Sequence, residues 1–180
     1  MQAMAERTLS SSRPFEGKLI SVRVDEVELQ SGGRARREIV EHPGAVAMLA
    51  WDGERLGMVH QWRQAAGGTM LEIPAGTMEP GEQPLETARR ELAEEIGMAA
   101  ADWLAGPSFF TAPGFCTEYL SLFLATGLTD ADPGSTPDEE EIEVEWLGLD
   151  DALRAIDDGR VVDAKSVAGI LWLARQLAPG

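Results

Sequence analysis

Hydrophobic and polar positions along this chain follow a period near two for most of its length. In three places the period lengthens to helical spacing. "GKLISVRVDEVELQSGGRARREIVEH" predicts two strands, Leu19 to Leu29 and Arg34 to Glu41, around the turn Ser31-Gly32-Gly33. This hairpin is polar for a core element, which suggests a small appended sheet. Ala45 to Trp51 is apolar enough for a buried strand, Asp52-Gly53 is a turn, and Leu56 to Trp62 returns as a second hairpin. "TMLEIP" predicts a short strand ending at Pro74, and "WLAGPSFFTAP", "EYLSLFLATGL" and "EIEVEWLGL" predict three more, with a Pro/Gly/Asp loop between Thr126 and Asp138. Leu85, Ala88, Leu92 and Ile96 form a stripe at helical spacing, so Pro84 to Ile96 is a helix, with Pro84 in its first turn and Gly97 as its stop. Asp151 to Asp157 and Ala164 to Leu177 are helices too, the second with Val167, Ile170, Leu171, Ala174 and Leu177 on one side. Strands mixed with helices, and joined by hairpins, predict an α/β sandwich around a mixed sheet, not a doubly wound parallel one. The opening "MQAMAERTLSSSRP" has no apolar core for an export signal and is expected to fray. The chain therefore divides into an N-terminal tail and hairpin, 1–41, and a main domain, 42–180.

Composition narrows the picture. The chain has 180 residues, 44% of them hydrophobic, enough for one domain with a real core. A net charge of −16 repels nucleic-acid backbone and anionic membrane, so neither is an expected partner. No stretch is long and apolar enough to span a bilayer. Only Lys18 and Lys165 are lysines among 15 basic residues, and the remaining arginines suit forked recognition of phosphate or carboxylate. The single cysteine, Cys116, excludes an internal disulfide and a CxxC zinc site, and points to a reducing compartment, the cytoplasm. His42 and His60 are isolated and do not make a zinc site.

The chemistry concentrates in "GTMEPGEQPLETARRELAEEIGM", Gly76 to Met98, which holds six Glu in twenty-three residues. On the predicted helix Glu91, Glu94 and Glu95 project to one side, where like charges repel by about 0.2–0.5 kcal/mol per exposed pair. Acidic helix faces are common, and a bare ExxEE is more often one of those than a site. Here the helix follows "IPAG", and the intervening loop brings backbone carbonyls and a further carboxylate, Glu82, to its start. Strand, loop and acidic helix together make a cradle for a hard divalent cation such as Mg²⁺.

This stretch resembles the Nudix box throughout: Gly76, five residues, Glu82, seven residues, Arg90-Glu91, Leu92, one residue, Glu94-Glu95, one residue, Gly97 and the hydrophobic Met98. The resemblance implies a Nudix-type α/β/α sandwich and a Mg²⁺-dependent pyrophosphohydrolase, with Mn²⁺ or another divalent ion as a substitute. It implies Glu91 and Glu95 as main metal ligands, Glu94 assisting, and the Ala75 carbonyl contributing from the loop. Arg90 would orient the carboxylates and Glu82 would brace loop and helix. A carboxylate of the acidic loop "PDEEEIEVEW" would close over the metals as base or extra ligand, with Glu140 first choice and Glu139 next.

Flanking stretches resemble the ADP-ribose pyrophosphatase branch of that family: "REIVEH", "VHQWR", "LEIPAG", "TAPGFCTE" with Pro113 sixteen positions after Gly97, and "DAKSVAGILWL". The branch implies cleavage of ADP-ribose, a small nucleoside diphosphate sugar, to AMP and ribose 5-phosphate. It also implies a homodimer in which the N-terminal hairpin is the dimerisation element. Carried over by position, Arg63 holds the diphosphate, Glu118 bonds a ribose hydroxyl, Arg37 reaches the ligand and Pro113 lies in the substrate loop. Two alternatives remain. One keeps the reaction and changes the substrate to GDP-mannose, another ADP-sugar, NADH or a dinucleoside polyphosphate. The other is a non-catalytic ligand sensor, which the complete set of box carboxylates disfavours.

Overall fold

The computed structural model describes residues 5–132 and 142–178. Contacts gather these into two compact units, one of residues 1–44 and 110–119, the other of 45–109 and 120–180.

The first unit holds a three-stranded antiparallel sheet in the order β1-β2-β3, with β1 at Arg7–Glu16, β2 at Ser21–Glu28 and β3 at Arg34–Glu41. β2 and β3 are the hairpin the sequence predicts. β1 is a correction, because the segment expected to fray is a ten-residue strand. Its residues are all exposed, so no apolar stripe announced it. Polar cross-strand pairs hold it instead. Arg7 donates to Glu28 at 2.8 Å, Ser11 to the buried Asp25 at 2.7 Å, and Arg13 reaches Glu41 of β3.

The second unit is a mixed seven-stranded sheet with helices on its faces. Its strands are β4 (Ala45–Trp51), β5 (Arg55–Arg63), β6 (Gly68–Glu72), β7 (Ala75–Thr77), β8 (Met98–Phe110), β9 (Tyr119–Asp130) and β10 (Glu143–Gly148). The main path runs β10-β5-β4-β9-β8, with β6 on β5 and β7 on β4. β4 and β9 are parallel, pairing Ala45 with Leu120 through Ala50 with Ala125. The three-residue β7 was not predicted and continues the strand "TMLEIP" past Pro74 into the box.

β4 reads as a continuous apolar run because both of its faces are covered. Ala45, Ala47 and Leu49 pack with α2 (Leu149–Asp157) and α3 (Ala164–Leu177) through Ala152, Ala155, Ile170 and Leu173. Val46, Met48 and Ala50 point the other way, onto Ala88, Leu92 and Ile96 of α1 (Pro84–Ile96). This is the α/β/α sandwich expected. Burying side chains such as Leu92 and Ile96 contributes about 1.5–3 kcal/mol each, well above the few tenths that α1 loses to its crowded carboxylates. Gly97 ends α1 in the left-handed conformation, φ 66°, and its N–H donates to the Ala93 carbonyl. No helix among the described residues is long and apolar enough to cross a membrane.

Candidate active site

The box lies in the second unit, where β7, the following loop and α1 bring its residues together. Arg90 is the hub. Its Nε and Nη2 donate to the two oxygens of Glu82, each at 3.0 Å, and its Nη1 donates to Glu91 at 2.7 Å and Glu94 at 2.9 Å. Nη2 also reaches the Thr77 carbonyl at 3.4 Å. Glu82 accepts further bonds from the Glu79 N–H and from the hydroxyl of the buried Thr87. The guanidinium fork, the Glu79 amide and the Thr87 hydroxyl hold its carboxyl down to about 2. Glu82 thus ties the loop to the helix as an ion, in the bracing role expected of it.

Glu91 and Glu95 sit differently. Burial raises Glu91 above the usual carboxylate range against the pull of Arg90. Burial raises Glu95 to about 8, although the Ala75 N–H donates to its Oε2 at 2.9 Å and Arg63 and Lys165 attract its charge. Three box carboxylates, Glu82, Glu91 and Glu94, share the one Arg90 guanidinium, and Glu95 beside them bonds only a backbone amide and feels Arg63 and Lys165 at longer range. Groups buried together with too little compensating charge are the electrostatic mark of a cation site. The loop is shaped to the same end. A Cβ on Gly76 would stand 1.9 Å from the Glu91 Cδ, so the glycine leaves the space that the carboxylate fills.

Among the described residues no group of three or more His, Cys, Asp or Glu side chains is arranged to hold a metal ion. Glu91 and Glu94 lean on Arg90 and Glu95 on the Ala75 amide. An open donor set suits Mg²⁺, which is held by one or two carboxylates together with substrate oxygens and water.

Arg63, at the end of β5, is held by β6. Its Nε lies 3.2 Å from each Glu72 oxygen and its Nη2 donates to Glu72 Oε2 at 2.6 Å. Glu72 is only 2% exposed and also accepts from Lys165 Nζ at 2.6 Å. Burial alone would raise Glu72, but the two cations together hold it below its ordinary range. No role was read for Glu72 or Lys165 in the sequence. The available signal was a charged residue, Glu72, inside the otherwise apolar "MLEIP".

The first unit contains a cavity of about 650 Å³ whose lining includes Arg23, Arg37, Phe110, Pro113, Phe115 and Cys116. Arg37 and Pro113 therefore share one pocket. Arg37 is forked onto Glu6, with Nε to Oε2 at 3.0 Å. Glu118, in the same unit, accepts from the Thr111 hydroxyl and faces His42 Nε2 at 3.7 Å. Glu139 and Glu140 lie outside the described residues.

The NUDIX domain family matches residues 41–168. The chain belongs to the Nudix family. A Bacillus subtilis protein named ADP-ribose pyrophosphatase is 42% identical over 96% of this chain and 95% of its own length. A Bacillus methanolicus protein named methanol dehydrogenase activator is 41% identical over the same shares. A solved structure of an ADP compounds hydrolase covers 98% of this Nudix chain and 97% of its own, with TM-score 0.87 and 20% identity, and agrees in fold. Membership implies a requirement for a divalent cation, and the box residues of this Nudix protein fit one on the charge and Gly76 observations above.

Proposed function

We propose that this Nudix enzyme hydrolyses the diphosphate of ADP-ribose to AMP and ribose 5-phosphate, with Mg²⁺ as its cation. The observation that carries the reading is the complete box, with Glu91 and Glu95 half-buried around the Gly76 turn, Glu91 held by Arg90 and Glu95 by the Ala75 amide. The strong likeness to a protein named ADP-ribose pyrophosphatase supports the substrate. Glu91, Glu95 and the Ala75 carbonyl would hold the metal, with Glu94 and Glu140 assisting. When bound, Mg²⁺ supplies charge neutralisation at the diphosphate and lowers the pKa of water. Arg90 keeps Glu91 and Glu94 in place by charge-assisted hydrogen bonds, and Glu82 fixes Arg90. Arg63 and Arg37 each present a guanidinium suited to phosphate oxygens, and each is already oriented by a carboxylate, Glu72 or Glu6. Pro113 shapes the pocket that Arg37 lines, and the Glu118 carboxylate accepts from a ribose hydroxyl. The water oxygen bonds to one phosphorus as the bridging P–O bond breaks and the other phosphate leaves, and the Glu140 carboxylate takes the water's proton.

Turnover with Mg²⁺ on ADP-ribose, GDP-mannose, another ADP-sugar, NADH and a dinucleoside polyphosphate tests the substrate. ADP-ribose is expected to have the highest kcat/KM. Another compound leading by tenfold would replace it, and no turnover on any would leave the sensor reading.

The base is tested in the acidic loop. Glu140→Gln is expected to lower kcat by about 10²-fold or more, in line with a general-base contribution, with ADP-ribose affinity little changed. Glu139→Gln should do less. If Glu139→Gln does more, the register shifts by one residue. Near-normal kcat in both variants would remove the loop from the chemistry.

We also place the enzyme in the cytoplasm as a homodimer built through residues 1–41. β1 supports this, being an edge strand with ten exposed residues, Leu9 and Phe15 among them. Light scattering at micromolar concentration is expected to give twice the 19.4 kDa chain mass. A monomer would refute the assembly.

A further inference from the structure

Four consecutive residues lead from β6 into the box, and each has its own partner. The Glu72 carboxylate receives Arg63 and Lys165. The Ile73 N–H donates to Ser166 Oγ at 2.9 Å, the Pro74 carbonyl accepts from the Met48 N–H at 2.9 Å, and the Ala75 N–H donates to Glu95. Lys165 and Ser166 both belong to the first turn of α3. Asp163, the residue capping that helix, ties them together, because its Oδ2 accepts from the Ser166 N–H at 3.1 Å and from Lys165 Nζ at 3.0 Å. Gly169 lets the helix come this close. A Cβ there would lie 2.9 Å from Ile73 Cδ1 and 3.3 Å from Leu49 Cδ2.

We propose that Lys165 and Ser166 are positioning residues for the metal-binding part of the box, so that the first turn of α3 sets where the Ala75 backbone and Glu95 meet. The inference rests on the metal reading of the box given above.

Burial makes both contacts consequential. Ile73 and Ser166 are fully buried, so without the hydroxyl the Ile73 N–H has neither protein acceptor nor water. The strand must then shift or open, and Ala75 is two residues on. Lys165 balances charge. Arg63 and Lys165 offset Glu72 and Asp163, and removing Lys165 leaves two carboxylates with one guanidinium. Among the described residues Asp163 Oδ1 is already buried without a partner, so they offer the network no spare donor to replace the ammonium. Both changes therefore act on the segment that carries Ala75, and neither side chain bonds a metal ligand; losing the attraction of Lys165 for Glu95 would by itself favour a cation, so it cannot account for weakened binding.

Ser166→Ala and Lys165→Met in the full chain test this without using activity. Mn²⁺ titration in the absence of substrate, followed by calorimetry or by the electron paramagnetic resonance of free Mn²⁺, should show affinity weakened at least about tenfold in each, the scale on which residues behind metal ligands act. Amide exchange at Ala75 should quicken by about tenfold. Ser166→Thr, which keeps the hydroxyl, should bind Mn²⁺ within twofold of wild type. Leu173→Ala, a fully buried position two turns further along α3 that makes no hydrogen bond to the segment, should lower Tm and leave Mn²⁺ affinity within twofold. Folded Ser166→Ala and Lys165→Met proteins with unchanged affinity would overturn the proposal, and so would a Leu173→Ala loss as large as theirs. If Ser166→Ala does not fold, Lys165→Met decides. Wild-type protein that takes up no Mn²⁺ would overturn the metal reading instead. The Ala75 exchange then still decides the positioning, with faster exchange supporting it and unchanged exchange ending it.

Discussion

Glu95→Gln is expected to abolish cation-dependent turnover and yet to stabilise the chelated protein at alkaline pH. Loss of a metal's Lewis acidity removes several kcal/mol of transition-state stabilisation, so the fall should be about 10³-fold or more. The stability effect has the opposite sign. Burial raises the Glu95 carboxyl to about 8, from 4.5 in the unfolded chain. Below pH 4.5 both states carry the proton. Between 4.5 and 8 the folded state keeps a proton that the unfolded state has released, so stability falls as pH rises through this window. Above 8 the fold must hold a half-buried charge. The full penalty is at most about 5 kcal/mol, and Gln escapes it while its side-chain carbonyl still accepts from the Ala75 N–H. Urea unfolding in a chelator at pH 5 and pH 9 checks the prediction, with the variant gaining on wild type at pH 9. Turnover within threefold of wild type, or a variant weaker than wild type at pH 9, would sink the assignment of Glu95.

Gly76→Ala should be the most damaging addition of a methyl group at any of the described glycines. The new Cβ would fall 1.9 Å from Glu91 Cδ, 2.1 Å from its Oε1 and 2.2 Å from its Cγ. No rotation of the alanine relieves this, so the glutamate must leave. It can do so at modest energetic cost, because it is the flexible partner and its exit exposes a charge to water. Stability should therefore change by about 1 kcal/mol or less, roughly 2–4 °C in Tm. Turnover should drop about 10²-fold or more, because a main metal ligand has been displaced. Thermal unfolding and a Mg²⁺ titration of kcat, read together, separate the two effects. Near-normal activity would mean that Glu91 does not act from the position it occupies beside Gly76.

How much of this was legible in the sequence depends on the separation of the interacting groups. α1 was readable from Pro84 to Ile96 because its stripe, its first-turn proline and its Gly97 stop are all local. The grouping of Glu82, Arg90, Glu91, Glu94 and Glu95 was readable because helical spacing alone puts most of them on one side. β1 was not, because Ser10, Ser11 and Ser12 carry no apolar period and its partners are Asp25, Glu28 and Glu41 on other strands. The α3 contacts were equally hidden. Lys165 meets Glu72 and Ser166 meets Ile73 across 93 residues each. The stretch "DAKSVAGILWL" contains Lys165 and Ser166, but nothing in its own residues shows what they touch. Arg63 was read as a diphosphate ligand, and its engagement with Glu72 adds a constraint that no spacing argument contains.

The parallel pairing of β4 with β9 has a consequence for how the chain folds. Ala45 is matched with Leu120, a separation of 75 residues, and β4 is the strand about which both apolar cores assemble. Closing a loop of that length must come before most of the burial that rewards it. Nearby pairings, such as β1 with β2 and β5 with β6, can form in advance and gain little alone. Folding should therefore be slow for a domain of this size, with high contact order. During synthesis the sheet of the second unit cannot close until residues near 125 have left the ribosome, by which time the whole box is already outside and waiting for its scaffold.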